Sequence, residues 1–278
     1  MPLQYATVEG HRIAYLDIGQ GPPLMLIHGF GGSIWNWEHQ VHELATRHRI
    51  IVMDLLGSGR SDKPAVAYTP SRMVQFFFSF MNVLGVERAT LIGNSMGAGL
   101  AMAIALDYPD RVTRLILIAG FPPDPYRSIA SKRYRRFLDH RPPLWLGVIS
   151  NRLAGRGVTR AMLEEIIHDR TLITPLVIER SFHNRRIPGF LPPLYSLVDH
   201  IQDWTKTYGQ RLHEIAVPTL LLWGSHDRVL PYRVGMDLHR LIPQSRLHAV
   251  PEAGHMPQWE KPAFVNRLIL EFLENHAT

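Results

Sequence analysis

Residues 90–106 read Thr-Leu-Ile-Gly-Asn-Ser-Met-Gly-Ala-Gly-Leu-Ala-Met-Ala-Ile-Ala-Leu, an apolar strand running through Gly-x-Ser-x-Gly into an apolar helix. So short a turn between strand and helix forces Ser95 into a strained backbone conformation. Only glycine avoids collision two residues away on either side, at Gly93 and Gly97. The bend lifts the Ser95 hydroxyl above the sheet edge and aims the amide of Met96, at the helix N-terminus, toward developing negative charge. A chain built around this segment needs a sheet with helices packed on it, and Ser95 is its candidate nucleophile.

A second segment, Pro23 to Gly32 (Pro-Leu-Met-Leu-Ile-His-Gly-Phe-Gly-Gly), is an apolar strand ending in a glycine-rich turn. Gly29 and Gly31 let the main chain approach a ligand closely, and the amides of Phe30 and Met96 form a candidate oxyanion hole. A Ser-dependent triad of this order needs an acid and then a histidine downstream. Leu220 to Asp227 (Leu-Leu-Leu-Trp-Gly-Ser-His-Asp) places an acid just past a strand, and Ser245 to His255 repeats the arrangement with a histidine. Strand ends converge at the carboxyl edge of a parallel sheet, which singles out Asp227 and His255 among 24 acids and 15 histidines. Asp124 and Asp199 are the alternative positions for the acid.

Strand-like stretches fall near residues 5–8, 12–17, 24–27, 50–54, 90–92, 115–119, 220–223 and 246–250, with helical patterns over 33–46, 70–84, 231–241 and 262–275. The alternation predicts a mostly parallel α/β sheet flanked by helices, with the first two strands, joined by Glu9-Gly10-His11, as an antiparallel edge hairpin. Residues 121–211 differ: proline pairs punctuate short helical segments such as 160–168, and no strand pattern occurs. The expected organisation is a core of residues 1–120 and 212–278 with a helical cap of residues 121–211. Candidate substrate-binding residues are Gly29, Gly31, Asn94, Phe121, Trp145, Phe190, Leu194 and Met256.

The cap holds 15 Lys plus Arg against 8 Asp plus Glu, a charge of +7, while the rest of the chain has 15 against 16. The whole net charge of +6 therefore resides in the cap, either as a solvated surface or as a field that steers anions. No nucleic-acid-binding pattern accompanies it. Phe76-Phe77-Phe78 with Phe80 and Met81 make the helix after Pro70 more apolar than one packing stripe requires, so the chain is expected as a monomer or a homodimer. Cysteine is absent, the histidines lack metal-site spacing, and no 18-residue apolar run occurs. No cofactor, no metal and no membrane span are expected, and the expected location is cytoplasmic.

The set His28-Gly29-Phe30-Gly31-Gly32, Asp54 to Asp62, Gly93 to Gly97, Tyr108 to Val112, Trp223 to Asp227 and Gly254-His255 resembles the α/β-hydrolase-fold serine enzymes across nearly the whole chain. Epoxide hydrolases and haloalkane dehalogenases of that fold carry Asp as nucleophile, which Ser95 argues against. The resemblance implies hydrolysis of a small carboxylic ester through an acyl-enzyme. Asn94, Gln258-Trp259-Glu260 and an arginine at 185 or 186 are similar to carbon–carbon bond hydrolases of aromatic ring-cleavage products, the alternative expectation. Met256 stands where those enzymes usually have tryptophan. A ligand receptor that keeps the triad is the remaining alternative.

Overall fold

The structure, a computed structural model, describes residues 2–274. Eight strands, β1 (Gln4–Val8), β2 (His11–Ile18), β3 (Pro23–Ile27), β4 (Arg49–Met53), β5 (Ala89–Asn94), β6 (Val112–Ile118), β7 (Thr219–Gly224) and β8 (Ser245–Val250), form one sheet in the order β1-β2-β4-β3-β5-β6-β7-β8. From β4 to β8 every pairing is parallel, and β1 and β2 are the antiparallel edge. Glu9 and Gly10, at φ of 50° and 80°, make the two-residue hairpin between them, with Val8 opposite His11.

Alternate residues of the central strands face opposite layers, as the two-residue period of a strand requires. Met25, Ile27, Leu91, Leu115 and Leu117 join one core, with residues of helices α2 (Pro70–Val83) and α3 (Met96–Asp107). Leu24, Leu26, Ile92, Ile116 and Ile118 join the other, with residues of α1 (Glu38–Leu44) and the C-terminal helix. β5 and β7 are buried along their whole length, which is why they read as continuous apolar runs. The helix expected over 33–46 is instead a 3-10 turn, Ile34–Trp37, followed by α1. Two side chains fix that entry: Asn36 accepts from the Ser33 amide and Asp54 accepts from the Ile34 amide, both at 2.7 Å.

Between β6 and β7 the chain forms α4 (Pro125–Ser128), α5 (Lys132–His140), α6 (Leu144–Leu153), α7 (Arg156–Ile166), α8 (Pro175–Arg186), α9 (Leu191–Asp199) and α10 (Ile201–Thr207), without a strand among the described residues. α11 (Tyr232–Leu241), α12 (Pro257–Glu260) and α13 (Pro262–Glu274) complete the fold. The end of the last expected helix, Asn275, lies outside the described residues. The phenylalanine run finds partners within the chain. Phe76 lies against His11, Phe77 against Phe80, and Phe78 stacks on Tyr108 at 4.1 Å beneath Arg111.

The close approach of α3 to β3 rests on Gly97, where a Cβ would overlap the Ile27 carbonyl and lie 2.6 Å from the His28 carbonyl. Backbone atoms yield little, so Gly97→Ala is expected to destabilise the protein by about 3 kcal/mol or more. Urea unfolding of the purified variant measures it, and an unchanged midpoint would show that the elbow is looser than described.

Candidate active site

Ser95 follows β5 directly and sits at φ 54°, ψ −119°, the strained conformation expected of the turn. Its amide donates to the Ile118 carbonyl at 2.9 Å, which locks the turn onto the end of β6. Gly93 is required on the near side, since a Cβ there would lie 2.5 Å from the Ala98 nitrogen. Met96 is the first residue of α3, so its N–H has no acceptor within the helix.

The loop after β3 lies alongside. Gly32 N–H donates to the Gly29 carbonyl at 3.0 Å, with Phe30 and Gly31 at the centre of the turn and Gly31 at φ 67°, the pattern of a type II turn. A Cβ on Gly29 would lie 3.3 Å from Ser95 Cβ, so this turn faces the elbow closely.

β7 and β8 bring Asp227 and His255 together. His255 Nδ1 donates to Asp227 Oδ2 at 2.7 Å, with both side chains buried, which puts the proton on Nδ1 and leaves Nε2 free to accept. The other Asp227 oxygen accepts from the amides of Val229 and Leu230 at 2.8 and 2.9 Å, so the carboxylate cannot turn away. Among the described residues the Ser95 hydroxyl has no hydrogen-bond partner of ordinary geometry; such bonds are often long before substrate arrives. The alternative acids are occupied elsewhere: Asp124 caps α4 through the Arg127 amide, and Asp199 pairs with Arg141.

Of the expected substrate contacts, Phe190 and Leu194 reach the turn, within 3.6 and 3.9 Å of a Cβ built on Gly31. Met256 is buried among Leu163, Ile167, Ile173 and Trp259, where the helical insertion meets the His255 loop. Three others are placed differently. Asn94 donates to the Ile118 and His255 carbonyls, so its amide is committed to backbone. Phe121 packs on Gly99 and edge-on to Trp204, behind α3, and Trp145 is two-thirds exposed on α6. Of the two arginines, 185 and 186, that resemble the carbon–carbon hydrolases, Arg186 lies exposed over the Phe182 ring and Arg185 is spent within the insertion. Arg185 is buried and donates to the carbonyls of Asn151, Ala154 and Gly155, to the Asn151 side chain and to the Thr159 hydroxyl.

Comparison with known proteins agrees with this architecture. The alpha/beta hydrolase fold family matches over residues 22–262. The chain belongs to the α/β-hydrolase fold family. Among its relatives is a 2-hydroxy-6-oxononadienedioate/2-hydroxy-6-oxononatrienedioate hydrolase of Burkholderia vietnamiensis, 31% identical over 94% of this chain and 91% of that one. The meta-cleavage product hydrolase of Pseudomonas fluorescens IP01 superposes with a TM-score of 0.86 at 26% identity, covering 99% and 98% of the two chains. A thermophilic esterase from Thermogutta terrifontis superposes at 0.76 with 26% identity over both full lengths.

Two buried groups of this hydrolase carry more of the site's geometry than their sequence positions suggested. His28 is fully buried; Nδ1 donates to the Gly29 carbonyl at 2.8 Å and Nε2 accepts from the Leu55 amide at 3.1 Å, so the ring is neutral and pins the glycine turn to the loop after β4. That loop is itself organised by buried Asp54, which accepts from the amides of Ile34 and Arg60. Glu260 accepts from Gly254 N–H at 2.7 Å and from the His168 and Asp169 amides at 2.7 and 3.0 Å. Burial pushes its carboxyl up from the ordinary value, against the three amides that hold it down. It joins the loop carrying His255 to the insertion, as does the His255 amide, which donates to the Ile166 carbonyl at 2.7 Å. Glu260 stood in view within Gln258-Trp259-Glu260, but two of its three amide partners, His168 and Asp169, lie 92 and 91 residues away and leave no local mark.

Burial holds the His28 imidazole below its usual pKa. The unfolded chain therefore takes up a proton that the folded one refuses, so the contribution is complete above about pH 6.5 and lost as pH falls toward the depressed folded value. A fall in melting temperature below about pH 6.5 is expected, with a shallower slope in His28→Gln. Parallel slopes for the two proteins would remove His28 from the account. Glu260→Gln turns an NH2 toward a main-chain N–H and is expected to cost about 1–3 kcal/mol in urea unfolding.

Proposed function

We propose that this protein is a serine hydrolase of the carbon–carbon bond-cleaving kind, acting on vinylogous diketone acids of the type produced by aromatic ring cleavage. The observation that carries the reading is the buried His255–Asp227 pair beside the strained Ser95 elbow, in a chain 31% identical over nearly its full length to a hydrolase named for such a substrate. Residues 121–211 act as a cap over this site.

His255 Nε2 takes the Ser95 proton as the hydroxyl attacks the ketone carbonyl, and the amides of Phe30 and Met96 receive the oxyanion. The bond between that carbonyl carbon and its neighbour then breaks. The departing carbon takes the electron pair, which is delocalised over the conjugated acid, and receives its proton from His255. Water, deprotonated by His255, hydrolyses the acyl-serine and returns the enzyme. Asp227 fixes the imidazole tautomer and stabilises the imidazolium at each stage. Asp227→Asn is expected to lower turnover about a hundredfold or more, whereas Asp124→Asn leaves it near wild type. The opposite order would transfer the acid's role to Asp124.

Hydrolysis of carboxylic esters is the second reading, favoured by one observation. Arg185, one of the two arginines that resemble the carbon–carbon hydrolases, is saturated by the insertion's own carbonyls and offers no cation to a substrate carboxylate, and a neutral ester needs none. The two readings separate on kcat/KM for 2-hydroxy-6-oxo-6-phenylhexa-2,4-dienoate, followed by loss of its dienolate absorbance, against p-nitrophenyl butyrate. The proposal expects the dienoate to exceed the ester by at least about tenfold, which is 1.4 kcal/mol of transition-state discrimination. An ester preference of that size would overturn it in favour of the second reading.

A further inference from the structure

α6 wears its apolar residues on the outside. Successive residues of a helix are 100° apart, so Trp145, Ile149 and Leu153 (i, i+4, i+8) make one stripe, with Leu146 and Arg152 on its flanks. These four apolar side chains are exposed, Leu153 by 81%. The opposite side of the same helix is the one that packs. A Cβ on Gly147 would meet the Tyr195 ring of α9, and Asn151 donates its side-chain amide to the Arg185 carbonyl of α8 at 2.9 Å. Packing therefore uses the Gly147 and Asn151 side and leaves the apolar stripe without an intramolecular cover.

The stripe is concentrated and held in place. Of the 12 exposed large hydrophobic residues among those described, eight lie between 144 and 176. Buried Arg185 donates to Asn151, Ala154, Gly155 and Thr159, so it clamps the end of α6, the elbow at Ala154–Gly155 between α6 and α7, and the start of α7 as a unit. Exposed apolar patches of this kind on a fixed scaffold mark contact sites.

Charge selects the occupant. The insertion holds +7 while the rest of the chain is at −1, and Arg152 flanks the stripe with no ion-pair partner among the described residues. A two-fold contact between copies would place this patch on itself and bring like charge against like. An anionic surface is attracted instead. Trp, Leu and Ile beside exposed Arg on one helix face is the composition of a segment that lies in the headgroup region of a bilayer. No helix among the described residues is long and apolar enough to cross one.

We propose that the outer face of α6, with the elbow that follows it, docks this protein onto anionic lipid bilayers, α6 lying in the plane of the headgroups. The inference is independent of which bond the site cleaves.

The test is flotation of the full chain with vesicles of phosphatidylcholine alone or with about 30 mol% phosphatidylglycerol, at two salt concentrations, beside sedimentation velocity without lipid. Binding is expected to the phosphatidylglycerol vesicles at least about tenfold above phosphatidylcholine, and to weaken as salt shortens the screening length below about 10 Å. The double variant Ile149→Ser/Leu153→Ser, and separately Arg152→Glu, should each lose most of that binding. Both keep the wild-type midpoint in urea unfolding, which reports correct folding. Absence of vesicle binding, equal binding to both compositions, or binding unaffected by the variants would overturn the proposal. So would a dimer that Leu153→Ser dissolves in a protein that ignores vesicles, which would make the face a contact between copies.

Discussion

The backbone of Ser95 is the point on which the rest of the molecule turns. A residue at φ 54° directly after a strand reverses the chain into α3 within one step. That conformation survives only because Gly93 and Gly97 allow β5, α3 and the end of β3 to approach at backbone distance. The same approach brings the turn after β3 against Ser95. The sheet order β4-β3-β5 makes this the switch point, where consecutive crossovers diverge and a crevice opens at the carboxyl ends of the strands. β7 and β8, on the same side of β5, then deliver Asp227 and His255 to that edge.

The insertion is hydrogen-bonded to three loops at the site. Ala130 N–H donates to the Val229 carbonyl beside Asp227, His255 N–H donates to the Ile166 carbonyl, and Asn184 donates to the Gly31 carbonyl of the turn. Glu260 adds two amides of the insertion and one of the His255 loop to a single buried carboxylate. The insertion is therefore tied to the loop that carries His255.

Local signals carried much of this into the sequence. Strands β3 to β7 are legible because a buried parallel strand must be apolar and must end in a turn, and Ser95 and Asp227 each follow one. The misplaced residues share a cause. Asn94, Phe121 and Trp145 were assigned by proximity in sequence to a motif or to the cap, whereas the direction of a side chain depends on neighbours far along the chain. Arg185 illustrates the point: its five acceptors are 26 to 34 residues away. The aromatic run at 76–78 suggested a leftover face. Tyr108 and Arg111, remote in sequence, cover its outermost ring. A helix that composition alone showed as continuous breaks at Trp37, whose backbone at φ −112°, ψ 11° separates the 3-10 turn from α1.

The account stands on Ser95 being the one nucleophile, activated in place by the folded site. A fluorophosphonate carrying a mass label, added in slight excess to the native protein and followed by intact mass and peptide mapping, reads this directly. One label per chain on the peptide containing Ser95 is the expected result, with none in Ser95→Ala or in protein unfolded in urea before labelling. Label on another residue, or equal labelling of native and unfolded protein, would contradict it.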